Sequence, residues 1–309
     1  MPTSAITHPV RRVIALGFFD GVHQAHGALL SRAVERAREL EARPCAFTFD
    51  THPSSRLTGQ STPLLNSVED RAWLMEYFYG IQEVLLASFE AMMELSWEEF
   101  ISRYLIREQG AVHVVCGHDF RFGHRGEGTP QLLQQRCREL GIGCDVISRI
   151  ELEGITVSST YIRSVIAQGD MERAERFLGH PHVLSQLVAP GKRLGRTLGF
   201  PTVNLRFQPG LVIPSFGVYA TMVQLEDGSF RMAVTNIGVR PTVDDDETPN
   251  AEAYILGYEG NLYGQRVRLL FFRKLREERK FHSLEALQQE VLRNAQQTRE
   301  YFEGWAQLL

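Results

Sequence analysis

The chain up to residue 182 alternates short apolar runs with amphipathic segments, and this alternation constrains the fold more than any other feature. Continuous apolar runs are typical of buried strands, whereas apolar residues repeated every three or four positions predict helices. The predicted strands are RRVIALGFF, PCAFTFD, EVLLASF and AVHVVCG, and the predicted helices are HGALLSRAVERARELE, SVEDRAWLMEYF, SWEEFISRYLIREQ and TPQLLQQRCREL. A repeated strand–helix pattern favours an α/β domain in which helices cover both faces of a parallel sheet.

The pattern changes after residue 182. The segments become short and rich in β-branched and aromatic residues, with turn signals such as EDGS and YEGN between them, which favours a small antiparallel β-barrel or sandwich. The tail SLEALQQEVLRNAQQTREYFEGW predicts one amphipathic helix with Ser283 as its N-cap. We therefore expect two domains, residues 1–182 and 183–309.

Composition excludes several classes of protein. With 43% hydrophobic and 23% charged residues and a formal net charge of -4, the chain resembles a soluble globular protein rather than a general nucleic-acid or membrane binder. It contains no apolar run of about 18 residues, the length of a membrane span, and its N-terminus lacks the apolar core of a signal peptide. The four cysteines form no CxxC pair, which favours reduced thiols and a cytoplasmic location. The oligomeric state stays open.

Ligands of parallel sheets bind beyond the carboxyl ends of the strands, so the loops after Leu16, Phe49 and Cys116 are the first places to search. In GFFDGVHQAHGALL, a glycine loop leads into a helix, and His23 and His26 lie three positions apart at its entrance. Both rings can therefore face one ligand near the positive end of the helix dipole. A zinc pair and two solvated histidines are the alternatives. We favour stabilisation of a nucleotide phosphate by imidazoles and backbone N–H groups.

Two further loops carry groups suited to a nucleotide. GHDFRFGHRGEG follows the strand that ends at Cys116, and VSSTYIR places hydroxyls before a short helix with Arg163 one turn inside it. Hydroxyls at a helix N-terminus with an arginine nearby can hold a leaving pyrophosphate. Plain capping of the helix is the alternative interpretation of the hydroxyls.

These motifs resemble two known families. HQAH is similar to the His-x-Gly-His signature of the nucleotidyltransferase superfamily, with Ala25 in place of the glycine. Nearly the whole chain resembles the bacterial bifunctional riboflavin kinase/FAD synthetase family. GFFDGVH, FTFD followed by His52, GHDFRFG and VSSTYIR resemble its FMN adenylyltransferase half, whereas GRTLGFPTVNL, GVYA, NIGVRPT, AEAYIL and LYG resemble its riboflavin kinase half. The resemblance implies a Rossmann-like nucleotidyltransferase domain followed by a small antiparallel β-barrel with a terminal helix.

The resemblance also implies substrates and site residues. Riboflavin and ATP would give FMN, and FMN and a second ATP would give FAD and pyrophosphate, with Mg²⁺ assisting both steps. The implied catalytic residues are His23, His26, Arg163 and Glu252. The implied nucleotide-binding residues are Gly17, Phe18, Asp20, Gly21, Ser158, Ser159, Thr160, Gly191, Lys192, Gly195, Arg196, Thr202 and Asn204. The implied flavin-binding residues are His52, Asp119, Phe120, Asn236 and Arg240, and Thr202 and Asn204 would also bind the metal.

The chemistry of the kinase half makes physical sense of these roles. The hydroxyl of Thr202 and the amide oxygen of Asn204 are ligands that Mg²⁺ prefers. Glu252 alternates with apolar neighbours on a predicted strand, where it can accept the proton of riboflavin's 5'-hydroxyl. A cationic surface turn around GKRLGRTLGF and an exposed strand glutamate are the alternatives.

One departure from the family concerns the kinase. Gln186 occupies a position where the family usually has glycine near the start of the barrel, and a glycine there can let the backbone pass close to ATP. Gln186 thus motivates one alternative function, an FAD synthetase with an impaired kinase domain. A protein that senses flavins or nucleotides without turnover is a second alternative.

Overall fold

The computed structural model describes residues 10–51, 62–189, 200–239 and 249–306. They form two compact units. The first extends to Thr62 and resumes from Arg71 to Ser158, and the second comprises Pro63–Asp70 and the chain from Ser159 onward. The domain boundary expected at residue 182 stays a prediction.

The first unit contains a five-stranded parallel sheet. Its strands are β1 (Arg12–Leu16), β2 (Arg43–Phe49), β3 (Glu83–Ala87), β4 (Ala111–Gly117) and β5 (Gly143–Ile147). The order across the sheet is β3-β2-β1-β4-β5, and every pair is parallel. The parallel α/β fold is thus confirmed. Because the strand order reverses between β1 and β4, the loops after these two strands flank the point where such sheets bind ligands.

Helices follow most of these strands. They are α1 (Gln24–Glu39), α2 (Val68–Tyr79), α3 (Phe89–Met93), α4 (Trp97–Glu99, continued by a π-helix, Phe100–Glu108) and α5 (Pro130–Glu139). A short hairpin, β6 (Glu151–Leu152) and β7 (Ile155–Thr156), comes after β5. The sequence HGALLSRAVERARELE predicts one helical face of Leu29, Ala33, Ala37 and Leu40. The first three are buried on α1, whereas Leu40 is the half-buried C-cap residue that follows the helix. Ser96 and Glu99 form a capping box, with each side chain bonded to the other residue's backbone N–H.

The second unit is built on an antiparallel sheet. Its helices are α6 (Ser159–Gln168), α7 (Met171–Leu178) and α8 (Leu284–Ala306). Its strands are β8 (His182–Leu187), β9 (Thr202–Arg206), β10 (Gly217–Gln224), β11 (Phe230–Val239), β12 (Pro249–Ile255) and β13 (Arg266–Arg276), in the order β8-β13-β10-β11-β12-β9. A bridge between Ala189 and Asn204 joins the two edges of the sheet, with the Ala189 N–H donating to the Asn204 carbonyl at 3.0 Å. The expected antiparallel barrel architecture is confirmed.

The two faces of this sheet have different neighbours. Tyr219, Thr221, Thr235 and Phe271 point inward and are fully buried. On the other face, Val218 and Val234 pack against Ala295 of α8. The predicted terminal helix therefore covers the outside of the sheet. Its N-terminus is capped by Ser283, whose hydroxyl accepts a hydrogen bond from the Ala286 N–H at 3.1 Å.

Candidate active sites

The loop after β1 has a strained backbone. Phe19, Gly21 and Val22 have positive φ angles of 58°, 81° and 43°. A β-branched residue such as valine rarely adopts this conformation, so the surrounding structure must hold it there. Asp20, which lies between them, is only 2% exposed. Backbone conformations of this kind point successive N–H groups in one direction and form anion-binding concavities.

His23 and His26 are stacked at the start of α1. Their ring centroids are 3.6 Å apart and their planes differ by 10°. His23 is the N-cap residue, and its Nδ1 accepts a hydrogen bond from the backbone N–H of His26 at 3.3 Å. Burial, and secondly the proximity of His23 and Arg71, lower the pKa of His26 well below its usual value. The His26 ring is therefore neutral at pH 7.

The alternative interpretations of this pair lose support. His23 is only 5% exposed, which is incompatible with a solvated ring. Among the described residues, no group of three or more histidine, cysteine, aspartate or glutamate side chains is arranged to hold a metal ion. The geometry is consistent with two histidines that bind a phosphate at the N-terminus of a helix.

The loop after β4 leaves the sheet beside the loop after β1, because Leu16 pairs with Cys116. The Asp119 side chain is 83% exposed. Phe120 is half-buried and stacks on Phe122, with ring centroids 5.6 Å apart. The structure therefore places both predicted flavin-contacting residues at the same edge of the sheet as the strained loop.

The predicted hydroxyl cluster begins α6. Ser158 and Ser159 are half-buried, Thr160 is exposed, and Arg163 is half-buried one turn into the helix. Ser158 ends the first unit, and the other three belong to the second. Their approach to a nucleotide beside the histidines stays a prediction.

A row of polar side chains crosses three strands of the second unit. Glu252 on β12 pairs with Asn236 on β11 and with Asn204 on β9. Residues that are directly opposite in antiparallel strands project to the same face, and Thr202, two positions before Asn204, shares that face. Thr202, Asn236 and Glu252 line a cavity of about 250 Å³. The family resemblance implies a role for each of these four residues.

The opposite wall of this cavity comes from the end of β13, the segment after it and α8. The wall residues are Arg276, Glu278, Arg279, Phe281, Leu287, Val291 and Asn294. Two arginines there are fixed by ion pairs with one carboxylate. Glu290 lies 3.3 Å from Arg276 Nε and 2.6 Å from Arg279 Nη2. Sequence reasoning missed this wall, although Leu287, Val291 and Asn294 have the spacing of one helix face.

A second and smaller cavity, about 50 Å³ in volume, adjoins the first part of β9. Its lining includes Pro201, Thr202 and Val203, together with Tyr258 and Tyr263. Thr202 lines both cavities.

Family models match both halves of the chain. A model described as FAD synthetase matches residues 5–161, and one described as riboflavin kinase matches residues 178–302. The bifunctional riboflavin kinase/FMN adenylyltransferase of Pseudomonas fluorescens is 38% identical over 89% of this chain and 88% of its own length. The chain belongs to the bifunctional riboflavin kinase/FMN adenylyltransferase family. It is a transferase with an FAD synthetase domain and a riboflavin kinase domain, as the sequence motifs predicted.

Other members of the riboflavin kinase/FMN adenylyltransferase family are similar over almost the entire chain. The Bacillus subtilis protein is 31% identical over 98% of both chains, and the Escherichia coli protein is 33% identical over 94% of this chain and 92% of its own. A crystal structure from Streptococcus pneumoniae, described as a macrolide-efflux protein, has a TM-score of 0.79, 26% identity and 96% coverage of both chains. In the described part of this chain, no helix has the length and apolarity needed to cross a membrane.

Several residues assigned from the family resemblance lie outside the described residues. They are His52, Gly191, Lys192, Gly195, Arg196 and Arg240. Their roles stay predictions. Gln186, which departs from the family, is a half-buried member of β8 and pairs with Val267 on β13.

Proposed function

We propose that the chain phosphorylates riboflavin to FMN with ATP and then adenylylates FMN with a second ATP to form FAD and pyrophosphate. The observation that carries this proposal is the row formed by Asn204, Glu252 and Asn236, which crosses three strands beside a cavity bounded by α8. A carboxylate between two amides on one sheet face suits the activation of an alcohol. The stacked histidines at the strand-order reversal of the first unit support the second reaction.

In the kinase reaction, Glu252 accepts the proton of the 5'-hydroxyl as that oxygen attacks the γ-phosphate of ATP. The flavin occupies the larger cavity, and the phosphates of ATP approach through the smaller one, beside Thr202. Thr202 and Asn204 supply neutral oxygen donors on one strand face, and this donor set fits Mg²⁺ held together with water and phosphate oxygens. Mg²⁺, when bound, neutralises charge on the transferring phosphoryl group.

In the adenylyl transfer, the phosphate of FMN is itself the nucleophile. Its second pKa is about 6, so it is largely dianionic at neutral pH and needs no base. The site must instead stabilise the anionic transition state. The buried ring of His23, the half-buried ring of His26 and the N–H groups of the strained loop do so, and Arg163 and the hydroxyls of Ser158, Ser159 and Thr160 hold the leaving pyrophosphate.

The remaining expectations complete the proposal. The chain acts on riboflavin, FMN and ATP, binds neither nucleic acid nor membrane, and works in the cytoplasm. The four cysteines, which are all free thiols, support that location.

Product analysis tests the division of labour. The wild-type chain is incubated with ATP and Mg²⁺ and either riboflavin or FMN, and the flavins are separated by chromatography. We expect His26→Ala and Arg163→Ala to abolish FAD formation and to leave FMN formation unchanged. Arg149→Ala, at an arginine whose side chain is 60% exposed, is the control and should retain both activities.

The same assay separates the alternatives. FAD formation from supplied FMN without any FMN formation from riboflavin would identify an impaired kinase domain, as the presence of Gln186 suggests. Tight flavin binding without either product would identify a sensor. Equal loss of both products in folded His26→Ala would contradict the separation of the two sites.

A further inference from the structure

Arg71 on α2 lies beneath the strained loop and is 0% exposed. Its Nη1 donates hydrogen bonds to the carbonyl of Phe18 at 2.6 Å and to the hydroxyl of Thr48 at 3.1 Å. Its Nη2 donates to the carbonyl of Phe49 at 3.1 Å. The guanidinium carbon also lies 4.4 Å from the centre of the Phe18 ring. One side chain thus connects the loop after β1 to the end of β2.

The groups that accept hydrogen bonds from Arg71 are neutral. Within the described part of the chain, no carboxylate lies within ion-pair distance of it, and the acceptors of its hydrogen bonds are two carbonyls and a hydroxyl. Burial lowers the pKa of Arg71 to about 10, although Asp20 and Asp50 act in the opposite direction. The side chain is therefore still protonated at pH 7. Because the effect of burial exceeds that of these two carboxylates, the fold compensates the buried charge only in part, and its retention here calls for an explanation.

The hydrogen bonds of Arg71 fix the direction of the loop's peptide groups. The Phe18 carbonyl accepts from Arg71 and, at 2.7 Å, from the Thr48 hydroxyl. In a trans peptide the N–H points away from the C=O, so the N–H of Phe19 points away from Arg71. Because Phe19 and Val22 hold strained backbone angles, the loop needs such an anchor to keep its shape.

Arg71 also acts on His26. The charged and titratable groups that face this ring are His23, from the start of the same helix, and Arg71, from α2. Nδ1 of His26 is buried and has no hydrogen-bond partner among the described residues. Because the ring is neutral, the permanent positive charge on this side of the loop is that of the guanidinium.

We propose that Arg71 is a positioning residue for adenylyl transfer, which holds the loop between Gly17 and His23 in its phosphate-binding shape and places a fixed positive charge beneath it. This proposal rests on the proposed function of the first unit. Arg71 itself does not contact the reacting atoms. The negative charge of the nucleotide would add to that of Asp20 and Asp50 in compensating the buried guanidinium.

The test compares Arg71→Met with Arg12→Met in the full chain. Arg12 is a matched control because it is 15% exposed, makes two hydrogen bonds to Glu83 and one to the Gln109 carbonyl, and begins β1 at the opposite edge of the sheet. We expect Arg71→Met to lower kcat for FAD formation about 10- to 100-fold, as supporting residues of active sites typically do. FMN formation by the same sample should stay within about twofold of wild type, and Arg12→Met should retain both rates. An equal loss of FAD formation in Arg12→Met, or an unchanged rate in Arg71→Met, would overturn the proposal.

A second variant and a spectroscopic readout cover the remaining outcomes. If Arg71→Met does not fold, Thr48→Val removes the shared hydroxyl without a change of shape, and an unchanged rate of FAD formation in that variant would overturn the proposal. NMR titration of His26 should show a higher pKa in Arg71→Met than in wild type, whether or not the chain forms FAD, and an unaltered pKa counts against the proposal. If wild type forms FAD and only His26→Ala loses it, the proposed function stands and the role of Arg71 fails. If wild type forms no FAD, the proposed function itself fails.

Discussion

Replacement of Glu252 by glutamine tests the kinase mechanism most directly. The two side chains have the same shape, so the change removes the ability to accept a proton and leaves no cavity. The neighbours of Glu252 across the sheet are Asn204 and Asn236, whose amides can turn to present either a donor or an acceptor to the new side chain. We therefore expect the free energy of unfolding to change by less than about 0.5 kcal/mol, as for other half-buried positions without a change of volume.

The effect on catalysis should be much larger. Loss of a general base typically lowers the rate by about 10²- to 10⁴-fold, which corresponds to an increase of about 2.7 to 5.4 kcal/mol in the activation free energy. The loss should be seen in kcat, because the proton is transferred in the transition state and not in the ground state. The assay measures FMN formed from riboflavin, and FAD formed from supplied FMN by the same sample is the internal reference.

Glu278→Gln is the matched control for this prediction. Glu278 lines the same cavity but is not part of the row across β9, β12 and β11. An equal fall in kcat in Glu278→Gln would mean that the negative charge of the cavity matters rather than a positioned base. An unchanged rate of FMN formation in Glu252→Gln would remove Glu252 from the mechanism.

Two further predictions concern the start of the barrel. Burial, and secondly His180, lower the pKa of His182 to about 3, well below the ordinary value for histidine, so the unfolded chain binds this proton more readily than the folded chain. The stability that neutral His182 contributes is complete above about pH 6.5 and declines by up to about 1.4 kcal/mol per pH unit as the pH falls toward 3. Urea unfolding of the second unit at pH 7 and pH 5 should thus show a smaller difference in His182→Phe, and an equal difference would contradict this assignment. Gln186→Gly should destabilise the second unit by about 1 kcal/mol, because glycine weakens a strand interior, and should lower KM for ATP in FMN formation if the glutamine restricts the nucleotide. An unaltered KM would show that this departure from the family has no effect on ATP.

The central strands of the parallel sheet could be predicted from the sequence because both of their faces are buried. β1, β2 and β4 lie inside a sheet that is covered on both faces, so their apolar runs leave little ambiguity. β5, at the edge, is half-buried along its whole length, and it has no apolar run from which to predict it. The helix around Ile101 and Leu105 was predicted from its periodicity, but the i to i+5 hydrogen bonds of its π-helical part leave no distinct sequence pattern.

Some of the site residues could be predicted from the sequence, and others could not. Motifs indicated Thr202, Asn204, Asn236 and Glu252, and the strand register then placed them on one face. Arg71 could not be predicted, since an arginine in a helix is ordinarily solvated. Its burial depends on the loops after β1 and β2, which are distant in sequence. Arg276 and Arg279, which lie opposite Glu252, could not be predicted for the same reason. Their ion pairs with Glu290 form only when α8 packs against the sheet.

The sites of the two units contain different groups because the two nucleophiles, an alcohol and a phosphate, need different kinds of assistance. An alcohol must lose a proton as it attacks, so the kinase cavity needs a carboxylate held between hydrogen-bonding neighbours. A phosphate monoester is already an anion at pH 7, so a base at the other site would add only repulsion. A neutral imidazole above a permanently charged guanidinium meets that second demand, because neither group changes its charge as the pH passes through neutrality. The acidic side of the pH dependence of FAD formation therefore belongs to the phosphate of FMN and not to His26.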